Sequence, residues 1–431
     1  MAEFTRSFSD PIHGFIKFNK RDPLEKLALD LIDTRAFQRL RNIKQLGVTS
    51  IVYPSATHSR FTHSIGTFFV AREMCDLIKN QGFEDKDKRD ATLIAALLHD
   101  IGHGPYSHIF ELLIKKATGF DKKHEYWSAE IITKHHEVFS LLENYKKGFS
   151  RRIAEYITMS KDDRDVYSSI ISGAFDADRL DYMMRDRMMC GISGSAVDKS
   201  RIMNSLEVFR HPDYKKLYFG LRTNALLAVE EFISSRVNLY YQIYLHKREY
   251  TYTLALSNLF KILIKKKHLL DDQYSAFENL LKGDINLENY LETTDADVER
   301  LTQRMLKSSD KEATLAAQRV LDRYSYECIE ITTSLSSRSK EITEKISKIK
   351  DILKDVKGAA FEDYTIKGYN PKDKELPIYI IDSKDTKKVF ELSEISESSI
   401  HKLSKRIFRA YMPKEYYSRA KQALYGNYEL L

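Results

Sequence analysis

The chain has 431 residues, of which 42% are hydrophobic and 11% aromatic, so it can bury a large core and is not an intrinsically disordered protein. The net charge of +7 is modest for this length; it fits an anionic ligand and argues against the dense basic stripe of a general nucleic-acid binder. Cys75, Cys190 and Cys328 lie far apart without a CxxC pair, which excludes a disulfide framework and a thiolate metal site.

Membrane insertion is also not expected. No stretch approaches the roughly 20 apolar residues that span a bilayer, and the first residues, MAEFTRSFSDP, have no apolar signal core. We therefore expect a cytoplasmic protein with no membrane contact.

The first half of the chain is mostly helical in pattern. Residues 1–34 form an N-terminal segment whose short apolar alternation predicts a small hairpin. In the following AFQRLRNIKQL, apolar residues recur at every third position, which predicts a helix over 35–46 with Arg39 and Arg41 on its surface. The segment ATLIAALLHDIG is apolar all round from Leu93 to Leu98, as expected of a helix at the centre of a bundle.

The second half becomes polar and then changes character. SSRSKEITEKISKIKDILKDVK predicts an exposed amphipathic helix, and the runs Ile378–Ile381 and Val389–Leu392 predict two short strands. A final helix is expected around 397–424. The predicted fold is mainly α, with a helical lobe over 35–330 and a small α+β lobe over 331–431.

Residues with ligand chemistry cluster in three segments. HSRFTHS contains His63, HDIGHGPYSH contains His99 and Asp100, and DADRLDYMMRD contains Asp178. A buried aspartate is costly unless it is paired or binds a metal, and imidazole with carboxylate suits Fe, Mn, Ni, Zn or Mg.

Each segment also has a purely structural interpretation. An isolated His–Asp dipeptide is more often a helix cap beside a core histidine, and an acidic helix face is often simply solvated. Three histidines and one aspartate within ten residues, however, are too many to be satisfied separately in an apolar core.

Six ordered motifs resemble the HD-domain phosphohydrolases. SDPIHGFI, IDTRAFQRLRNIKQLG, HSRFTHSIG, LLHDIGHGPYSH, FDADRLDYMMRD and RVNLYYQIYLHK are similar to the sterile-alpha-motif-and-HD-domain dNTPases and their bacterial relatives. The resemblance covers residues 8–265 and returns weakly at 396–424. It implies an HD-domain helical bundle that hydrolyses a deoxynucleoside triphosphate at the α-phosphorus, releasing a deoxynucleoside and tripolyphosphate.

The resemblance also implies roles for individual residues. One divalent transition metal (Fe, Mn, Ni or Zn) would be bound by His63, His99, Asp100 and Asp178, with Mg²⁺ on the nucleotide phosphates. The catalytic residues would be His103, His108, Glu111 and His124. The substrate would contact Gln45, Leu46, Arg60, Arg179, Tyr182, Asp186, Arg236, Tyr240 and Tyr244.

Assembly and regulation are further implications of the resemblance. They are a homotetramer and a GTP or dNTP activator bound near Asp33, Arg39 and Arg41. Arg179 replaces a lysine of the vertebrate family members, and arginine binds phosphate as a planar fork rather than as a point charge.

Two other functions remain open at this stage. HD sites also serve phosphodiesterases that act on cyclic nucleotides or nucleic-acid ends. A non-catalytic nucleotide-binding or nucleic-acid-binding regulator is the third hypothesis, with the basic run Lys265–Lys267 as its main support; such a run is more often a solvated helix end.

Overall fold

The computed structural model describes residues 4–160, 163–194, 197–211, 215–272, 275–322, 326–334, 339–367, 377–382, 384–385, 388–396 and 404–425. Its α-helices are α1 (Pro23–Asp33), α2 (Arg35–Gln38), α3 (Arg60–Asn80), α4 (Lys86–Leu98), α5 (His108–Thr118), α6 (His124–Lys134), α7 (His136–Tyr145), α8 (Phe149–Thr158), α9 (Ala177–Met189), α10 (Lys199–Ser205), α11 (Leu226–Leu239), α12 (Lys247–Lys265), α13 (Ala276–Lys282), α14 (Leu287–Leu291), α15 (Asp295–Leu306), α16 (Lys311–Leu321), α17 (Ser339–Leu353), α18 (Leu392–Ile395) and α19 (Lys414–Tyr425). The strands are β1 (Thr5–Asp10), β2 (Gly14–Asn19), β3 (Leu206–Arg210), β4 (Leu217–Arg222), β5 (Tyr326–Ser334), β6 (Ala360–Lys367), β7 (Tyr379–Ile381), β8 (Val389–Glu391) and β9 (Ser404–Pro413). The mainly α prediction is confirmed.

The N-terminal segment forms the predicted hairpin. β1 and β2 pair antiparallel from Thr5 opposite Asn19 to Asp10 opposite Gly14. The helix α1 follows directly. The Asp22 side chain accepts hydrogen bonds from the backbone amides of Leu24 and Glu25, and Pro23 at the first helical position has no amide hydrogen that would need a partner.

The prediction of one helix over 35–46 is wrong. α2 ends at Gln38, a 3₁₀ turn follows over Arg39–Asn42, and Lys44 then pairs with Ser59 in an isolated antiparallel bridge. Arg39 is buried rather than on the surface, and its guanidinium donates to backbone carbonyls of distant segments. Those tertiary bonds outweigh the local helical pattern.

The centre of the bundle is α4, as its all-round apolar sequence predicts. Residues 91–98 are all buried, and α4 packs against α3 and α8 while α3 also packs against α9. This arrangement brings the beginning of α3, the end of α4 and the beginning of α9 together, and each of these helix ends contains one of the three polar segments.

The strands form three sheets. β1 and β2 stand alone, β3–β4–β7–β8 form a mixed sheet in which β4 and β7 are parallel, and β5–β9–β6 form an antiparallel sheet. β7 and β8 confirm the two predicted short strands. β7 and β8 belong to the same sheet as β3 and β4, so this sheet contains strands from both predicted lobes, 35–330 and 331–431.

The C-terminal region differs from the single helix expected at 397–424. Residues 404–413 are the central strand β9, only α19 is helical, and residues 397–403 lie outside the described residues. The apolar seam of α17, formed by Ile346, Ile349 and Leu353, is buried against the same sheet, so it packs on its own chain. Among the described residues, no helix is both long and apolar enough to cross a bilayer.

Candidate metal centre and substrate pocket

Three side chains from different helices, His63, His99 and Asp178, form a compact group suited to a metal ion, which we call the metal group. Ligand atoms of His63, His99 and Asp178 all lie within 4.8 Å of one another. His63 comes from the first turn of α3, His99 caps the end of α4, and Asp178 lies in the first turn of α9. The fourth predicted ligand, Asp100, is adjacent, with its Oδ2 3.7 Å from His63 Nε2 and its Oδ1 3.4 Å from His99 Nε2.

The histidine rings are oriented as metal ligands require. His99 Nδ1 lies 2.8 Å from the carbonyl oxygen of Ala96, so this nitrogen carries the ring proton in the neutral form. His99 Nε2 is buried and lies 3.4 Å from Asp100 Oδ1 and 3.7 Å from Asp178 Oδ1, so it faces the carboxylates of the group. His63 Nε2 faces Asp178 Oδ1 at 3.0 Å. The residues present therefore fit a divalent ion bound by imidazole and carboxylate.

A buried network fixes the other nitrogen of His63. Its Nδ1 lies 2.7 Å from Asp181 Oδ2, and the same carboxylate accepts bonds from His13 at 2.7 Å and from two nitrogens of Arg185 at 2.8 and 2.9 Å. Arg185 in turn donates to Asp10 at 2.8 Å. A carboxylate behind a ligating histidine sets the ring's tautomer and orientation.

The charges of this group favour a cation at its centre. Burial lowers the pKa of His63, but hydrogen bonds to Asp178 and Asp181 outweigh burial and raise the pKa to about 10. Burial raises the pKa of Asp178, yet bonds from His63 and His99 bring it below its usual value. Asp178 and Asp181 therefore stabilise the protonated form of His63.

A second group borders the first through Asp100. Ligand atoms of Asp100, His103 and His124 also lie within 4.8 Å of one another, and the rings of His103 and His124 stack at 3.8 Å. His124 Nδ1 lies 2.7 Å from Glu111 Oε1. Burial, and then the charges of Arg60 and His124, hold the pKa of His103 well below its usual value. The backbone of His108 begins α5, but its side chain is outside the described part of the chain.

Both groups border one cavity of about 620 Å³, a size suited to a small ligand. All the predicted substrate-binding residues line it: Gln45, Leu46, Arg60, Arg179, Tyr182, Asp186, Arg236, Tyr240 and Tyr244. Tyr240 and Tyr244 lie in a π-helical turn between α11 and α12, a local distortion that often marks functional sites.

The polar residues of the cavity are held by specific bonds. Arg60 pairs with Asp100 and donates to Ser107 Oγ at 2.9 Å. Arg179 donates to the carbonyl oxygens of Gly173 and Ala174. Asp186 accepts from Tyr244 at 2.7 Å and from His58 at 2.8 Å. These bonds fix two cationic groups near the metal group and one carboxylate farther along the cavity.

The residues expected at an activator site are only partly accessible. Asp33 and Arg41 are exposed, and Asp33 pairs with Arg6 at 2.6 Å. Arg39 donates to the carbonyl oxygens of Thr293 at 3.0 Å and His103 at 2.7 Å. The guanidinium of Arg39 therefore supports the loop after α4 instead of facing a surface ligand, contrary to the exposed position expected from the sequence.

Sequence reasoning missed the residues behind the metal group. Asp181 lay in a segment already singled out, three positions after Asp178, and His13 and Asp10 lay in the motif SDPIHGFI. Their role depends on contacts across as many as 175 positions of the chain, which is the separation of Asp10 and Arg185. The signal available was an unassigned histidine and aspartate in a motif that already carried a family resemblance.

Comparison with known proteins defines the class. The HD domain family matches residues 60–183, a range that contains His63, His99, Asp100 and Asp178. The protein YwfO of Bacillus subtilis, described as uncharacterized, is 34% identical over 330 residues, which are 75% of this chain and 71% of that protein. The chain therefore belongs to the HD-domain family of phosphohydrolases.

Two further relatives carry functional names. The deoxynucleoside triphosphate triphosphohydrolase SAMHD1 of Danio rerio is 28% identical over 77% of this chain, which spans only 57% of that protein. A crystal structure of a phosphohydrolase from Bacteroides thetaiotaomicron superposes with a TM-score of 0.74 at 25% identity, over 94% of this chain and 98% of that one.

Proposed function

We propose that this protein is a metal-dependent deoxynucleoside triphosphate triphosphohydrolase, which converts a dNTP and water into a deoxynucleoside and tripolyphosphate. The observation that carries the proposal is that one cavity is lined by Asp100 and Asp178 of the metal-binding residues, by Arg60, Arg179 and Arg236, and by Gln45, Leu46 and Asp186. Phosphates, sugar and base can then be arranged in that order along the cavity.

The metal would be bound by His63, His99, Asp100 and Asp178, as a single Fe, Mn, Ni or Zn ion per chain. When bound, such an ion lowers the pKa of water and polarises a phosphoryl oxygen. Mg²⁺ is expected on the nucleotide phosphates in addition. The role of Asp181 is to hold His63 in one orientation, because its carboxylate lies 2.7 Å from the nitrogen that faces away from the ion.

The arginines of the cavity would bind the polyphosphate. Arg60, Arg179 and Arg236 line the cavity, and Arg60 also touches Asp100. Fixed guanidinium groups stabilise the negative charge that collects on the equatorial and leaving oxygens during phosphoryl transfer. Tyr182 and Tyr240 complete the lining beside them.

Proton transfer falls to the histidines beside Asp100. Glu111 Oε1 accepts the Nδ1 proton of His124 at 2.7 Å, and the ring of His103 stacks on that of His124. The incoming phosphates bring negative charge that favours the protonated form of His103. We expect His103, with His108 and His124, to supply the proton that the departing oxygen needs.

Selection of deoxyribose rests on the part of the cavity that Gln45, Leu46 and Asp186 line. Gln45 and Leu46 lie in the segment that pairs with residues 58–60, and Asp186 is held by Tyr244 and His58. A 2′-hydroxyl that crowds this wall is expected to reduce hydrolysis by about 10²-fold.

Assembly and regulation are part of the proposal. We propose a homotetramer with a GTP or dNTP activator near the exposed Asp33 and Arg41, as the sequence resemblance implies, and a cytoplasmic location. Binding of nucleic acid would be secondary to these functions.

The proposal is tested by incubating the purified protein with each dNTP and NTP, with and without GTP, and separating the products by chromatography. Tripolyphosphate and a deoxynucleoside are the expected products. Equal hydrolysis of GTP and dGTP, or cleavage of cyclic nucleotides instead of triphosphates, would favour a general nucleotidase or phosphodiesterase.

A further inference from the structure

The substrate cavity extends from the metal group to a second end. Asp178 acts electrostatically on the hydroxyl of Tyr182, whose ring centroid lies 6.1 Å from that of Tyr244. The hydroxyl of Tyr244 bonds to Asp186 at 2.7 Å. Asp178, Tyr182 and Asp186 stand four positions apart on α9 and all line the cavity, so this wall runs from a predicted metal ligand to the carboxylate proposed to contact the sugar.

The wall continues to Glu249 in the first turn of α12. Cys190 caps the end of α9 four positions after Asp186; Glu249 acts electrostatically on the Cys190 thiol and lines the cavity. Thr49, four positions after Gln45, lines the cavity and hydrogen-bonds to the Glu249 carboxyl. Glu249 therefore lies beyond the sugar-contacting residues as seen from the metal.

The carboxyl of Glu249 has an unused hydrogen-bonding atom. Its Oε2 is shielded from solvent and has no partner among the described residues. Burial raises the pKa of Glu249 to about 8. A buried carboxyl oxygen without a partner is costly, and a ligand that supplies N–H donors removes that cost.

We infer that Glu249 contacts the nucleobase and selects guanine among the four deoxynucleoside triphosphates. The inference rests on the proposed function, which places the phosphates at the metal group and the sugar beside Asp186. Guanine presents two adjacent donors, N1–H and the 2-amino group, toward a carboxyl whose oxygens can each accept more than one bond. Adenine and cytosine place an acceptor nitrogen beside their amino group, and thymine has a single imino donor between two carbonyls.

The 2-amino group allows a direct test. We would measure kcat/KM for dGTP and for dITP, which lacks only that group, with the GTP concentration held constant. The variants are Glu249→Gln, which keeps the shape of the side chain, and Glu231→Gln, an exposed glutamate on α11, as the matched control. Circular dichroism spectra of both variants would verify that the helical fold is retained.

The wild type and Glu231→Gln should have a kcat/KM for dGTP about 10- to 100-fold above that for dITP, the range expected when the loss of one donor leaves a buried acceptor without a partner. In Glu249→Gln the ratio of kcat/KM for dGTP to kcat/KM for dITP should fall close to one, with dITP hydrolysis largely retained. The inference is overturned if the wild type has the same kcat/KM for dGTP and dITP, or if Glu249→Gln lowers kcat/KM equally for both substrates. A wild type that hydrolyses no dNTP would instead refute the proposed function.

Discussion

Replacing Asp181 by Asn should weaken both the fold and the metal group. Asp181 is fully buried and accepts bonds from His63, His13 and two nitrogens of Arg185. Asn keeps the shape but removes the charge, leaving the buried Arg185 with Asp10 as its remaining carboxylate partner. Removing one partner of a buried ion pair costs about 3–5 kcal/mol, and losing the carboxylate behind a ligating histidine weakens metal binding about 10- to 100-fold.

Urea unfolding followed by circular dichroism measures the first effect, and competition with a chromogenic chelator measures the second. Asp30→Asn is the matched control, because Asp30 forms an i,i+4 pair with Lys26 at 2.6 Å on the exposed surface of α1. That substitution should cost less than about 1 kcal/mol and leave metal binding unchanged. If Asp181→Asn behaves like Asp30→Asn in both assays, the support assigned to Asp181 is wrong.

Four further results are expected. Asp100→Ala should lose the metal and the activity but keep its helix content; full metal occupancy by elemental analysis would contradict the assignment. His103→Ala should keep the metal and lose turnover by about 10²–10⁴-fold, and loss of the metal would make His103 a ligand. Burial raises the pKa of Glu249 to about 8, so the wild type loses stability as the pH rises from the unfolded pKa to the folded one, whereas Gln does not ionise. Between pH 5 and pH 9 the free energy of unfolding of Glu249→Gln should therefore rise by about 2–5 kcal/mol relative to that of the wild type, measured by urea unfolding. A difference between the two proteins that does not change with pH would refute the burial argument. Arg41→Ala should reduce nucleotide-dependent tetramer formation in light scattering, and a wild type that is monomeric and fully active in every condition would remove both the tetramer and the activator site.

The features predicted from sequence were those with a local cause. The all-round apolar run before His99 predicted the buried α4, and the alternation in residues 1–34 predicted the hairpin. The family resemblance implied that His63, Asp100 and Asp178 would lie together, and the helix ends do bring them together. Their roles as ligands remain proposals.

The features missed were those decided by distant contacts. The helix expected over 35–46 ends early because Arg39 bonds to carbonyl groups at residues 101, 103 and 293. The sequence of β9 lacks the alternation that predicts a strand, because residues 407–413 are continuously buried. Likewise, no local pattern pairs His13 with Asp181.

The most direct test of the central claim is the fate of oxygen from water. Hydrolysis of dGTP in ¹⁸O-labelled water, analysed by mass spectrometry, identifies the bond that breaks. The proposed attack at the α-phosphorus predicts one ¹⁸O atom in tripolyphosphate and none in the deoxynucleoside. Label in released orthophosphate or pyrophosphate, without tripolyphosphate, would contradict the account.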